Sequence, residues 1–214
     1  MAEFLHVSFA ADFIRHIAYT LRCFVLLAIF YLLLFSDMRT RISPISVTLI
    51  AFHAICFSMP KFPKVVGEDL LGNEIAVPSE LKKEFDILLV AFQRWHQSLV
   101  NSWIPFLKDL VEKYSNTEFY ELPTIREMNP VYRFFINHGM KAGIPSEETR
   151  GRTITLYLDK DSFTDSLGIT DESKIYIYLV KRDGQILWKN TGPFTEEKRD
   201  SLERALKNVI HKEL

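Results

Sequence analysis

From residue 60 to the C terminus the sequence contains no cysteine; Cys23 and Cys56 both lie upstream. That stretch therefore has no disulfide, thiolate nucleophile or cysteine-held metal cluster of its own, since each needs the sulfur itself. A surplus of positive charge is missing too. The 214 residues carry 26 Lys and Arg against 27 Asp and Glu, a net charge of −1. Nucleic acid is excluded as an expected partner, because gripping a phosphate backbone depends on a basic face. His96, His138 and His211 fall in separate segments, without metal-ligand spacing, so neither a metal nor a cofactor is expected. No internal repeat or low-complexity tract is found.

What the first part does have is apolar length. Residues 1–59 form one expected segment and residues 60–214 a globular domain. Cys23 to Ser36 is uncharged, with Arg22 before it and Asp37 after it. As a helix it would be roughly 21 Å long, short of the ~30 Å hydrocarbon core of a bilayer, and it reaches spanning length if it starts at Ile17. Ile42 to Met59 is a second apolar run of roughly 27 Å. These runs suit a membrane anchor, a helical pair turning at Asp37–Arg41, with attachment through residues 17–59. Arg15, Arg22, Arg39 and Arg41 also suit an organellar presequence, although the apolar runs are long for one. A third reading starts translation at Met59, which would make the protein cytoplasmic.

The globular part alternates strand and helix signals. Phe62 to Pro78 reads as two extended pieces around a turn at Leu71-Gly72-Asn73-Glu74. Asp86 to Phe92 is an apolar run that suits a strand buried on both faces. Leu99, Trp103, Phe106, Leu107, Leu110, Val111 and Tyr114 recur at helical steps, with Pro105 expected to kink the helix. A strand is expected over Thr117–Leu122 and a helix over Asn129–Met140, capped by Asn129 and opened by Pro130. Arg152–Leu158 reads as a strand and Asp159–Leu167 as a short helix closed by Gly168. Lys174–Val180 and Gln185–Asn190 flank an Asp183-Gly184 hairpin turn. Thr195 caps a last helix, with Asp200, Glu203, Arg204 and Lys207 expected to face water. This order predicts an α/β fold with a central sheet flanked by helices, preceded by the apolar helical segment.

A closing hairpin followed by one helix resembles the end of a thioredoxin-like domain. In that superfamily a Trp-Cys-x-x-Cys motif follows the first core strand, at the start of a helix that stabilises a thiolate. Here Leu88-Leu89-Val90-Ala91-Phe92 leads to Gln93-Arg94-Trp95-His96-Gln97-Ser98-Leu99. Trp95 is kept, while His96 and Leu99 stand at the cysteine positions. The cis-proline expected before the closing hairpin is replaced by Glu172-Ser173-Lys174-Ile175. The resemblance implies a scaffold without thiol–disulfide or peroxidatic chemistry. His96 reads as a partly exposed loop residue, its pKa lowered by the helix dipole. Ser98 and His96, two positions apart, do not face each other as a nucleophile and base would. Glu147-Glu148 and Asp159–Asp161 read as solvated charges, and Trp103 and Trp188 as packing residues. His211-Lys212-Glu213-Leu214 reads as a charged helix end rather than a retrieval signal.

The order Ile144-Pro145, Leu167-Gly168-Ile169, Lys174–Val180, Gly184-Gln185-Ile186-Leu187-Trp188, Thr191-Gly192-Pro193 resembles a narrower group, the mitochondrial F-type ATP synthase assembly factor ten family. Lys189-Asn190 departs from the small residues expected after Trp188. The resemblance implies a membrane-associated assembly factor, at the mitochondrial inner membrane or a bacterial or archaeal equivalent. Its partner would be a protein, such as a subunit of the membrane complex, and no catalytic residue carries over. The candidate contact residues are Trp95, His96, Gln97 and Ser98 at the degenerate site, with Tyr132 and Phe134 in the aromatic helix. Phe135 suits a buried helix face better than Phe134 does. Two other classes compete: an enzyme, metal-dependent or hydrolytic, working through His96, and a redox protein using Cys23 or Cys56.

Overall fold

The computed structural model describes residues 61–213. The expected membrane anchor, with Cys23 and Cys56, lies outside the described residues. The described elements are β1 (Val65–Asp69), β2 (Glu74–Val77), β3 (Phe85–Ala91), α1 (Gln97–Lys113), β4 (Thr117–Arg126), α2 (Pro130–Gly143), α3 (Glu147–Arg152), β5 (Ile154–Leu158), α4 (Lys160–Leu167), β6 (Tyr176–Lys181), β7 (Ile186–Thr191) and α5 (Glu196–Glu213). The strands form one sheet in the order β2-β1-β5-β4-β3-β6-β7. β3 and β4 are parallel, as are β4 and β5; the remaining pairs are antiparallel. This is the thioredoxin-like arrangement that the order of elements predicts: a mixed sheet with helices on its faces and a hairpin-helix ending.

β3 sits between β4 and β6 and is buried on both faces, as its unbroken apolar run predicts. Leu88 and Val90 point to one side. There they meet Tyr120, Leu122 and Tyr178, under Phe62 and under Phe163 and Leu167 of α4. Ile87 and Leu89 point to the other side, under Val100, Trp103 and Leu107 of α1 and Leu202 and Leu206 of α5. The Trp103 indole N–H donates to the Gly192 carbonyl at 3.0 Å, which ties α1 to the segment after β7. Gly192 turns there with φ of 78°, a backbone state that favours glycine.

Several boundaries differ from the sequence expectations. β4 does not stop at Leu122. Pro123 ends the ladder with β3, opposite Ala91, and Thr124–Arg126 pair instead with Leu156–Leu158 of β5. A change of partner, not the end of the strand, explains the proline. α3 is an unexpected helix, capped by Ser146 through the Thr149 amide, and Glu147 and Glu148 form its first turn. α1 runs on past Pro105 to Lys113. Glu203 does not face water. It is half-buried and accepts from Lys113 Nζ at 2.7 Å and the Tyr114 hydroxyl at 3.2 Å, with Lys207 Nζ at 3.1 Å. The expected β-turn at Leu71–Glu74 forms between β1 and β2, with Gly72 at φ of 97°.

One polar group stands out in the core. Asp86, near the start of β3, is fully buried and neither carboxylate oxygen has a hydrogen-bond partner. Burial pushes its pKa up to about 8; the neighbouring Glu118 adds to the rise and Arg182 opposes it. The carboxyl is therefore largely protonated at neutral pH. The folded state then holds a proton that the unfolded chain releases above its ordinary value of 3.8, so stability falls as pH rises from there towards about 8. Asp86→Asn removes this loss. Urea unfolding should show the variant gaining on the wild type by up to about 1.4 kcal/mol per pH unit across that window. A difference that does not change with pH would refute the buried acid.

Candidate functional site

The site lies at the C-terminal end of β3. The chain leaves the strand at Phe92, makes one 3-10 turn over Arg94–His96, and enters α1 at Gln97. This tight exit turns the His96 ring back over the strand end. Its Nδ1 accepts the Phe92 backbone N–H at 3.2 Å, and the residue is fully buried. Since Nδ1 is an acceptor, the ring proton is on Nε2, which has no hydrogen-bond partner.

His96 is therefore not the partly exposed residue that its loop position suggests, and it cannot touch a partner from the surface. Its pKa is lowered, first by burial, which excludes the charged ring; the nearby Ser173 backbone opposes this. The expected direction holds, but desolvation is the main cause in place of the helix dipole.

The residues around it are exposed. The Trp95 ring stands edge-on to the His96 ring, with centroids 4.2 Å apart, and Trp95 is 57% exposed. Gln97 and Ser98 also reach solvent. The Ser98 hydroxyl donates to the Trp95 carbonyl at 3.1 Å, so its proton is engaged locally. Gln97 Nε2 donates to Asn101 Oδ1 at 3.0 Å and to Glu121 Oε2 at 3.2 Å. Glu121 is buried beneath it, and burial raises its pKa despite the bond from Gln97. Leu99, at the second cysteine position, is half-buried.

Across from the helix start, Asp171 shapes the segment that replaces the cis-proline loop. It accepts from the Ser173 amide at 2.9 Å and the Ser173 hydroxyl at 2.6 Å, and pairs with Lys174 at 2.9 Å. Hydrogen bonds from Ser173 hold the Asp171 carboxyl far below the usual carboxylate range, with Lys174 adding to the effect. Among the described residues the cis peptide is Val77–Pro78, not a bond of this segment.

α2 sits on the same face of the sheet as α1. Alternation along β5 points Ile154 and Leu156 into the core beneath α4 and Tyr157 to the other side. There the Tyr157 hydroxyl donates to Asn137 Oδ1 at 2.8 Å and Arg133 stacks 5.1 Å over the Tyr157 ring. Asn129 caps the helix through the Val131 and Tyr132 amides, as expected. No residue of α2 is buried. Val131, Tyr132, Phe134 and Phe135 are 61%, 64%, 65% and 66% exposed. Phe135 is thus as open as Phe134, contrary to its expected place on a buried face. Tyr132 and Phe134 project about 200° apart, since they are two residues apart on an α-helix.

Sequence reading missed Asp86 and Glu121. Their signal was present, an acid inside an apolar strand run, but periodicity alone does not show whether such an acid turns inward. Among the described residues no group of three or more His, Cys, Asp or Glu side chains could hold a metal ion.

The buried ring gives a testable pH effect. A lowered folded-state pKa means the unfolded chain binds the extra proton first, so the stability due to neutral His96 is present above about pH 6.5, the ordinary histidine value, and fades as pH falls below it. His96→Phe should cost about 1–3 kcal/mol near pH 7.5 by orphaning the Phe92 amide. In denaturant melts the gap to the wild type should narrow towards pH 5. A gap that widens would mean the ring is charged when folded.

Among solved structures, the chain is similar to the thioredoxin domain of a thiol-disulfide oxidoreductase from Bacteroides vulgatus, with 17% identity, 69% of this chain and 96% of that chain covered, and a TM-score of 0.45. A DsbE-like thiol:disulfide interchange protein from Chlorobium tepidum gives 15%, 70%, 95% and 0.44. The exposed lipoprotein thioredoxin Etrx1 of Streptococcus pneumoniae gives 14%, 68%, 99% and 0.44. No curated protein matches. The family model described as ATP10 protein matches residues 58–209, most of the chain and the whole sheet, so this protein belongs to the ATP10 family.

Proposed function

We propose that this protein is a non-enzymatic assembly factor that holds a protein subunit of a membrane complex, such as F-type ATP synthase. Membership of the ATP10 family supports the assembly role. The observation that carries the non-enzymatic part is the exchange at the end of β3. The group standing at the first cysteine position is a buried imidazole whose Nδ1 is bound to the backbone, beneath an exposed tryptophan. Such a place offers a contact surface and no reachable nucleophile. A metal-dependent or hydrolytic reaction at His96 gains no support from a ring closed to solvent.

The partner meets Trp95, Gln97 and Ser98, the exposed rim of the old active site. An aromatic ring that is held at one edge and open at the other is a good anchor for an interface. Tyr132 and Phe134 extend the candidate surface on the same sheet face. Because they project to different sides of α2, a flat partner seated on the rim meets one of them. We place the protein at a membrane, the mitochondrial inner membrane or its equivalent, with residues 17–59 as the attachment. Among the described residues no helix is long and apolar enough to cross a membrane.

Tagged full-length protein, recovered from detergent-solubilised membranes, provides the test. Trp95→Ala should lower co-recovery of ATP synthase membrane subunits about tenfold, the loss of ~1.4 kcal/mol or more typical of an aromatic anchor. The thermal midpoint should stay close to the wild type, because the ring is mostly outside the core. Equal recovery by the two proteins would sink the contact at Trp95.

A further inference from the structure

α2 leaves its largest apolar side chains on the side away from the sheet. Its partly covered side carries Arg133, Ile136, Asn137 and Met140, and Arg133 and Asn137 engage Tyr157. The opposite side carries Val131, Phe134, Phe135, His138 and Ala142, all exposed, at the three- and four-residue steps of one helical stripe. Phe134 packs on Phe135 and stacks on His138, so the stripe is already ordered without a cover.

We propose that α2 is a membrane-surface helix, its stripe seated among the headgroups and upper acyl chains of an anionic bilayer. Charge is the first argument. α2 has no Asp or Glu, and its charged residues are Arg133 and Lys141. Arg133 is held by the Met128 carbonyl and by Glu127. Lys141 is exposed, one helical step from His138 and two turns from Phe134, on the flank of the stripe, where it reaches a lipid phosphate as the aromatic rings enter. Area is the second argument. The exposed stripe offers on the order of 400 Å², from the ~150–250 Å² an aromatic side chain can bury, against about 800 Å² per partner in a stable protein interface. That is too little for a second copy of this chain to hold by itself. It is enough for shallow insertion, where a few apolar side chains and one cation act together. Tyr132 lies off the stripe and stays available to a protein. The inference does not depend on partner capture at Trp95.

The test uses the full chain with Cys23→Ser, Cys56→Ser and Phe135→Cys, labelled at the remaining thiol with nitrobenzoxadiazole. A second protein carries the label through Lys108→Cys on the exposed side of α1. Each is mixed with vesicles of phosphatidylcholine, or of phosphatidylcholine and phosphatidylglycerol, with doxyl-labelled lipid as quencher. Insertion predicts quenching at position 135 at least about twofold above that at position 108 on the anionic vesicles. Lys141→Glu should reduce it there. Equal quenching at both positions overturns the proposal, as does a Lys141→Glu variant that behaves like its parent. A signal at position 135 that rises with protein concentration without lipid would assign the stripe to a second copy instead. One that needs added ATP synthase subunits would assign it to a protein partner. Neither of those results touches the Trp95 reading, which is measured by subunit recovery.

Discussion

β3 is hydrogen-bonded to a strand on each edge and covered by a packed layer on each face, so it has no solvent boundary. A strand in that position fixes what surrounds it. β4 must lie parallel beside it, which requires a crossover, and α1 supplies it on one face. β6 must lie antiparallel on the other edge, and the hairpin to β7 follows. The loss of about 25 cal/mol of favourable burial for every Å² left exposed makes any shift of this strand costly, because both faces would open at once. Asp86 is the exception that the burial tolerates, as a protonated acid. It lies near the start of the strand, opposite Glu118 on the paired strand and at the end away from the candidate site, and the nearby Glu118 carboxylate helps keep it protonated.

The other end of β3 is closed without any sulfur. The helix still begins there and the tryptophan is still on its rim. In place of a thiolate stabilised by the helix, His96 sits inside, neutral, and accepts the last free amide of the strand exit. The imidazole serves the fold by closing the strand-to-helix corner. The corner is a fixed aromatic rim over a hydrogen-bonded strand exit, with Gln97 bridging to the buried Glu121. Asp171 fixes the facing segment by local hydrogen bonds. A preorganised surface of this kind loses little entropy on contact, a property useful to a protein that holds others.

α2 works on a different principle. Arg133 and Asn137 engage Tyr157 on its partly covered side, beside Ile136 and Met140, and its aromatic side is left outward. An apolar stripe left open in this way points to something outside the domain, and the small area together with the lack of acids favours lipid over a second folded surface.

The sequence by itself determined that there is a central sheet and the order of elements along the chain. The uninterrupted run of β3, the Asp183-Gly184 turn and the Asn129 and Thr195 caps are local signals, carried by propensity and spacing, and each forms where expected. The absence of cysteine after residue 60 was equally decisive, since no packing can supply a missing sulfur. Trp95 and His96 could be named from their place after β3. What only the tertiary structure decided was which side chains are open. His96 is inside and Phe135 outside, against expectation, because burial depends on what packs over a residue from elsewhere in the chain. Pro123 looked like a strand end because the exchange of β3 for β5 as partner is a long-range event. Asp86 and Glu121 became special only when elements distant in the chain packed over them and removed their water. Local chemistry thus settled the elements, and contacts between distant segments settled the surface on which function depends.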